Sequence, residues 1–294
     1  TLEPGGQLEL SGAPFRDVHA TEREMREHLD ELRDLSAPHD LAWFGLGFQP
    51  FARQADLPWV PKLRYGIMKN YLPTRGQRGR DMMRRTATVQ ANFDFESEQD
   101  AMRKLRVSLA LSPLCSAMFA NSPIMRGRPC AALSERARVW LDTDPDRAGL
   151  LPFAWHQDAR LEDYVQWALD VPMFMVKRGS EALANTGQTF RAFMKDGFEG
   201  HRPTLTDWRS HLATLFPEAR LKNTLEVRCV DSQPTELVCA VPALWKGILY
   251  DEAALNAAEA LVEGLDHDAV QASREPLSRE GLRGQIAGRP AQRM

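Results

Sequence analysis

The sequence predicts an α+β protein, in which helices pack on one face of a curved, mainly antiparallel sheet. Polar and apolar side chains alternate with a period of two in segments 2–12, 84–95 and 224–230, which indicates strands with one buried face. Runs with apolar residues at helical spacing separate these segments. Helices between half-buried strands favour a sheet covered on one side, and we expect a single domain over residues 1–294.

The opening segment, Leu2–Gly12, places two carboxylates, Glu3 and Glu9, on either side of a Gly5–Gly6 turn. From residue 7 to residue 11 the polar and apolar side chains alternate, so we expect Glu9 at the centre of the polar face of a strand. The alternative is an edge strand whose glutamate is only solvated.

Helical spacing, capping residues and apolar runs locate the remaining elements. A capping box formed by Thr21 and Glu24 starts the first helix, and Ser97 is a predicted N-cap. The tail from Ser273 has too few apolar residues to fold by itself. The Pro-, Arg- and Gly-rich segment 51–80 is long enough to be a binding loop. Helices are predicted over about 21–35, 65–71, 101–111, 161–169, 206–216, 243–249 and 253–265, and further strands over 41–48 and 171–176. The helix from residue 101 is expected to run on past Pro113 into the apolar segment 114–120.

The two later alternating strands carry short polar groups that could line a ligand site. Gln90 and Asn92 share the polar face of segment 84–95, and Glu226 and Arg228 share that of segment 224–230. A solvent-facing surface is the alternative, but such surfaces usually carry Lys and Glu rather than short amides and hydroxyls.

The assembled sheet would therefore gather Glu9, Gln90, Asn92, Glu226 and Arg228 on one face. Acids on adjacent strands repel each other unless a cation lies between them, and a hard divalent ion with oxygen ligands is the usual solution. Arg228 beside them would suit a phosphate bound to the same metal. Because neither a P-loop nor a GxGxxG motif occurs, a nucleotide site would have to be built on the sheet itself.

Composition and charge exclude several classes of protein. The formal net charge of −3 argues against a dedicated nucleic-acid binder. No apolar run approaches the roughly 18 to 20 residues that cross a bilayer. The four cysteines show no CxxC spacing, which fits a reducing cytoplasm and gives no zinc signature. The chain starts at Thr1 without a methionine, so we expect a piece of a longer protein, incomplete at the N-terminus and at the C-terminus.

Successive sequence blocks cover residues 2 to 255: LEPGGQLELSG, FGLGFQP, RYGIMKNYLP, DMMRRTATVQANFDF, FANSP, DTDPDRAGLLPF, YVQWALDVPM, DWRSHLATLFPEARLKNTLEVR and VPALWKGILYD. In order and spacing they resemble the plant and proteobacterial type of glutamate–cysteine ligase. The resemblance implies a glutamine-synthetase-like catalytic cradle that uses ATP and Mg²⁺. It also implies a reaction in which ATP phosphorylates the γ-carboxylate of glutamate and the amine of cysteine attacks the acyl phosphate.

The resemblance also implies roles for individual residues. Glu226 and Arg228 would be catalytic, and Glu226 would also bind metal. Arg136 would hold a substrate carboxylate, with a surface ion pair as the alternative. Tyr164 and Trp167 would wall the amino-acid pocket, with packing in the core as the alternative. The remaining candidates are Glu9 and Glu3 for metal, and Gln90, Asn92, Arg64 and Met82 for substrate.

Departures from the family pattern leave alternatives open. Glu22 and Asn185 stand where plant members carry regulatory cysteines, and the earlier segment with further metal ligands is not in this chain. The expected partners are small molecules: glutamate, cysteine and ATP. A ligase with another amine acceptor, a non-catalytic chain of the same fold, and a homodimer all remain as alternatives.

Overall fold

The computed structural model describes every residue from Thr1 to Met294. The helices are α1 (Val18–Ser36), α2 (Leu63–Tyr71), α3 (Gly79–Arg85), α4 (Glu98–Met118), α5 (Glu135–Trp140), α6 (Leu161–Asp170), α7 (Phe190–Asp196), α8 (Leu205–Leu212), α9 (Ala240–Tyr250), α10 (Glu252–Val262) and α11 (His267–Glu280). The strands are β1 (Leu2–Glu3), β2 (Gln7–Leu8), β3 (Thr88–Phe93), β4 (Ile124–Met125), β5 (Arg128–Pro129), β6 (Ala148–Gly149), β7 (Met175–Arg178), β8 (Glu181–Ala184), β9 (Phe216–Pro217), β10 (Ala219–Leu221), β11 (Leu225–Asp231), β12 (Gln285–Ile286) and β13 (Arg289–Pro290).

The predicted mixture of helix and sheet is confirmed, but the sheets are small and open. The largest has three antiparallel strands in the order β10–β11–β3. The other strands pair two by two: β1–β2, β4–β5, β7–β8, β12–β13 and the parallel pair β6–β9. A glutamine-synthetase-like cradle stays a prediction.

Helix α4 packs on the apolar face of the central sheet and forms the middle of the core. Leu105 and Leu109 of this helix are fully buried, as the helical spacing predicts. They belong to one apolar cluster with Leu225 and Val227 of β11 and with Trp245 of α9. Because α4 covers one face of the sheet, the polar side chains of β3, β10 and β11 are left on the other face.

All seven predicted helices are present, with ends that shift by a few residues. Helix α4 begins at Glu98 and, as predicted, continues past Pro113, to Met118. The strand predicted over 171–176 begins only at Met175, in β7. No helix of the structure combines the length and the apolar character that a membrane crossing requires.

The opening segment forms a local hairpin instead of a strand of the central sheet. Leu2 pairs with Leu8, and Glu3 pairs with Gln7. Gly5 has a φ of +79°, and an added Cβ would lie 2.0 Å from the carbonyl oxygen of Arg84, so glycine is required at this turn. The turn reverses the chain after three residues. The alternating residues 7 and 8 therefore pair with residues 2 and 3 of the same hairpin and do not join the central sheet. Glu9 lies outside any strand.

The strand predicted over 41–48 is wrong. Only Phe48 makes a β-bridge, to Thr86, while Leu41 and Phe44 are exposed. The segment predicted as strand 84–95 is helical up to Arg85, and β3 begins at Thr88. The apolar residues of segment 41–48 predict a buried strand, but no other element covers Leu41 and Phe44. An apolar run indicates burial only where another element packs against it.

The C-terminal tail, predicted to have too few apolar residues to fold by itself, folds in contact with the rest of the chain. Residues His267–Glu280 form α11, which packs against α4. Val270, Leu277 and Ile286 are buried in the main apolar cluster. A few well-spaced apolar residues are enough for a segment to fold when it docks on an existing core, even where most of its other residues are polar.

Candidate active site

The face of the central sheet opposite α4, here called the open face because no helix of the main core covers it, carries a row of polar side chains. Its charged residues Arg220, Glu226 and Arg228 are themselves buried. In the strand register Arg220 lies opposite Glu226, and Glu226 lies opposite Asn92. Arg228 lies one alternation further along β11, where its Nη1 donates to Oε1 of Gln90 at 3.1 Å. The period of two puts these groups on one face, since their neighbours in each strand point into the core.

The carboxylate of Glu226 is surrounded by three cations. Its Oε2 lies 2.6 Å from Nε and 2.6 Å from Nη2 of Arg220, 3.3 Å from Nη1 of Arg228 and 3.8 Å from Nζ of Lys222. Three positive charges against one negative charge leave the cluster with a surplus of positive charge. Two guanidinium groups and an ammonium group are the donors that proteins use to bind phosphate and carboxylate groups.

The pKa values of the cluster reflect this crowding of charge. Burial alone would raise the pKa of Glu226, but the charges of Arg228, Arg220 and Lys222 bring it below its ordinary value. Burial and then the charge of Arg220 lower the pKa of Arg228 to about 10. The same two causes lower the pKa of Lys222. The cations thus repel one another, and a bound anion would relieve that repulsion.

Gln90 and Asn92 form the exposed part of this face. Besides the bond from Arg228 to Gln90, Oδ1 of Asn92 accepts a hydrogen bond from the hydroxyl of Thr224 at 3.2 Å. The structure therefore brings together four residues that the alternation placed on one face: Gln90, Asn92, Glu226 and Arg228.

The other predicted metal ligands lie elsewhere. Glu3 is bound by Lys62 at 3.2 Å, by Arg64 at 3.5 Å and by the hydroxyl of Tyr65. Glu9 is exposed and makes no ion pair. No group of three or more His, Cys, Asp or Glu side chains in this structure could hold a metal ion. The metal-binding roles of Glu3, Glu9 and Glu226 stay predictions.

Arg136 lies inside the protein, with 3% of its surface exposed. Its Nη2 donates to the carbonyl oxygen of Arg228 at 2.7 Å, and its Nη1 to that of Cys229 at 3.1 Å. A surface ion pair does not match this position, because the group is buried. Each terminal nitrogen gives one bond to the main chain and Nε is left without a partner, and the role of Arg136 in holding a substrate carboxylate stays a prediction.

The predicted pocket aromatics belong to the core. Tyr164 is buried in the main apolar cluster, and its hydroxyl accepts from the amide of Leu221 at 3.2 Å. Trp167 packs against the ring of Tyr164. Met82 packs on a separate apolar cluster, and Arg64 lies half-exposed beside Glu3. None of these four side chains makes a hydrogen bond or an ion pair to the polar side chains of the sheet.

Sequence analysis missed Arg220 and Lys222. The signal for Arg220 was present, because it stands between Ala219 and Leu221 in a short alternating run. That run lies next to the strand that contains Glu226, so Arg220 could have been placed on the same face. Lys222 follows in the turn between β10 and β11, where no periodicity predicts the direction of a side chain.

Comparison with known proteins identifies the family. A sequence profile of glutamate–cysteine ligase family 2 matches residues 1–293. The chain is 46% identical over 280 residues to the chloroplastic glutamate–cysteine ligase of Brassica juncea, covering 94% of this chain and 54% of that protein. It is 48% identical over 259 residues to that of Medicago truncatula, covering 87% of this chain and 51% of that protein. The chain spans about half the length of the curated relatives it matches.

These relatives correct the expectation of a cytoplasmic location, since both are named as chloroplastic. The expectation rested on cysteines without a disulfide framework, and all four cysteines are indeed unpaired in the structure. Cysteine usage reports the redox state of a compartment and does not distinguish one reducing compartment from another. The family match over nearly the whole chain shows that this protein belongs to glutamate–cysteine ligase family 2.

Proposed function

We propose that this chain is the catalytic part of an ATP-dependent ligase that joins the γ-carboxylate of L-glutamate to the amine of L-cysteine. The observation that supports this most directly is the cluster of Arg220, Lys222 and Arg228 around Glu226 on the open face of the sheet. Both substrates of the first step, ATP and glutamate, are anions. The names of the relatives supply the identity of the amino acids.

The proposed reaction has two steps. In the first, the γ-carboxylate of glutamate attacks the terminal phosphorus of ATP, so that a new P–O bond forms and the bond to ADP breaks. In the second, the amine of cysteine attacks the carbonyl carbon of the acyl phosphate. A C–N bond forms, inorganic phosphate leaves with the electrons of the C–O bond, and the amine nitrogen loses a proton. Positioning and charge neutralisation dominate the catalysis of such steps.

Each residue of the cluster has a distinct part in this proposal. Arg228 and Arg220 would bind the oxygens of the transferred phosphoryl group through their planar guanidinium groups. Glu226 would hold the two arginines in place when no anion is bound. The exposed amides of Gln90 and Asn92 would bind the polar groups of the amino-acid substrates.

We assign no step to a metal ion. The resemblance predicts that Glu9, Glu226 and Glu3 bind Mg²⁺, but these carboxylates do not converge, and Glu226 faces three cations instead. Mg²⁺ would accompany ATP as a complex with its phosphate oxygens. We further propose that residues 1–294 form a single catalytic domain and that the protein forms a homodimer.

The test is the release of ADP from ATP with glutamate and a panel of amines. We expect release to require both glutamate and an amine, with cysteine preferred, and Arg228→Met to lower kcat by about 100- to 1,000-fold. Arg178→Lys is the control, because Arg178 binds Asp207 and main-chain carbonyls away from the central sheet. Preference for another amine would indicate a related ligase. No release of ADP would indicate a chain that is not catalytic by itself.

A further inference from the structure

We propose that Arg136 is a positioning residue: it holds a bulge in β11 and thereby directs the side chain of Arg228 into the anion-binding cluster. The structural part of this inference stands on hydrogen bonds alone, whereas its consequence for ligation rests on the proposed function. The role differs from direct contact with substrate, because Arg136 is buried and both of its terminal nitrogens donate to main-chain carbonyl oxygens of β11.

The bulge lies at the position of Arg228. Val227 pairs with Ala91, but Val230 pairs with Val89, so that two residues of β11, Arg228 and Cys229, lie opposite Gln90 alone. An extra residue in one strand interrupts the ladder, bends the strand and changes the direction of the side chains next to it. After the bulge the alternation is broken, since Cys229 and Val230 both contribute to the core.

The carbonyl groups of the bulge and of the residue after it accept hydrogen bonds from side chains. Arg136 donates to the carbonyl oxygens of both extra residues, Arg228 and Cys229. The hydroxyl of Ser116 donates to Cys229 O at 2.6 Å, and that of Thr88 donates to Val230 O at 2.6 Å. A buried carbonyl without a donor destabilises the fold, so these donors help to decide whether the bulge is stable. Arg136 is the one donor that binds both extra residues.

Arg136 is itself fixed to β11 on the far side of the bulge. It lies in α5, whose N-cap residue Ser134 donates its hydroxyl proton to Oδ1 of Asp231 at 2.8 Å. The hydroxyl of Ser122 donates to Oδ2 of Asp231 at 2.6 Å and accepts from the amide of Arg136 at 3.2 Å. The end of β11 and the start of α5 are thereby joined through one buried carboxylate. The guanidinium of Arg136 thus reaches the bulge from a fixed position.

The geometry requires arginine at this position. A planar guanidinium donates in two directions at once, whereas an ammonium group on a flexible stem bonds one of the two carbonyls well. Arg136→Lys keeps the charge and most of the volume but removes the second bond. This substitution therefore tests the effect of losing the second hydrogen bond without the effect of losing the positive charge.

The experiment measures the binding of inorganic phosphate to the full chain by calorimetry, together with thermal unfolding. Arg136→Lys should weaken phosphate binding about 5- to 20-fold, because Arg228 loses its fixed direction. Arg178→Lys is the matched control, since Arg178 also donates to two main-chain carbonyls, those of Lys177 and Arg202, but away from the central sheet. It should change the unfolding temperature without changing the affinity for phosphate.

A double-mutant cycle distinguishes positioning from general destabilisation. Arg136→Lys should lower the unfolding temperature by the same amount in the unaltered chain and in an Arg228→Met background. In the Arg228→Met background it should weaken phosphate binding no further. An equal loss of affinity in both backgrounds, or no loss in the single variant, would overturn the inference. If phosphate binds as expected but no ADP is released, the proposed function fails and the inference stands. If the unaltered chain binds no phosphate, both fail.

Discussion

The arginines show how the burial of a single residue decides its part in the molecule. Arg64 is half-exposed and pairs with Glu3, Arg228 is buried on the polar face of the sheet, and Arg136 is buried and donates to the main chain of β11. Arginine is thus an ion-pair partner at the surface in the first case, a candidate ligand for anions in the second and a hydrogen-bond donor to the main chain in the third. The type of side chain alone does not separate these three, because all of them carry the same guanidinium group.

His211 is a buried group whose neutral state should make stability depend on pH. Its Nε2 bonds the carbonyl oxygen of Ala168 at 2.8 Å, and its ring lies against Phe190 and Trp208. Burial lowers the pKa of His211 from 6.5 to about 4. The folded state thus favours the neutral ring, while the unfolded chain takes up a proton below about pH 6.5. This contribution to stability is complete above pH 6.5 and is lost as the pH falls from 6.5 towards 4.

We predict that the free energy of unfolding falls by about 2 kcal/mol between about pH 7.5 and pH 4.5 because of His211. Urea unfolding of the chain and of His211→Phe at both values measures this difference. The variant keeps an aromatic ring against Phe190 and should lose this part of the pH dependence, although it is less stable at neutral pH. Equal pH dependence in the two proteins would show that His211 is not the group responsible.

At the scale of single elements, α4 is a long helix that contains a proline. Pro113 has no amide proton, so the carbonyl of Leu109, four residues earlier, lacks its helical donor. The hydroxyl of Ser112 donates to that carbonyl at 2.8 Å, and both Ser112 and Leu109 are buried. A side chain thus replaces the missing bond and allows α4 to continue beneath the sheet.

This replacement predicts different effects of Ser112→Ala in two backgrounds. Alone, the substitution should cost about 1–2 kcal/mol of stability, because it leaves a buried carbonyl without a donor. Combined with Pro113→Ala, which restores the amide, it should cost much less. Chemical unfolding of the two single variants and the double variant gives the coupling energy. Additive effects would mean that the hydroxyl does not compensate for the proline.

At the scale of the whole molecule, the main apolar cluster joins elements from distant parts of the chain. It includes Phe93 of β3, Leu225 of β11 and Leu277 of α11. Helix α11 packs against α4, and the α4 side chains of the cluster in turn cover the sheet. The C-terminal tail is therefore part of the support of the candidate site, although it contributes no side chain to the polar face.

We predict that Leu277→Ala lowers the free energy of unfolding by about 2–4 kcal/mol, since it leaves a cavity in this cluster. Far-UV circular dichroism and the fluorescence of the seven tryptophans should report one and the same shifted transition. Leu205→Ala, on an exposed residue of α8, is the control and should change stability little. Two separate transitions, of which only one moved, would contradict a single domain.

Those features that depend on neighbours along the chain were predictable from the sequence. The helices follow from local spacing and capping, and the shared face of Gln90, Asn92, Glu226 and Arg228 follows from a period of two within each strand. The family resemblance is likewise a property of the sequence alone. Arg220 could have been added by the same reasoning.

The tertiary structure decided everything that depends on which segments meet. Glu3 lies in a local hairpin instead of in the central sheet with Glu226, and the C-terminal tail packs on α4. Arg136 binds the main chain of the strand that carries Arg228. No local pattern contains this information, because the ion-pair partner Lys62 of Glu3 is 59 residues away and the main-chain partner Arg228 of Arg136 is 92 residues away, and packing selects both. The sequence by itself determined which residues share a face, whereas the fold decided which faces meet and which charges are buried between them.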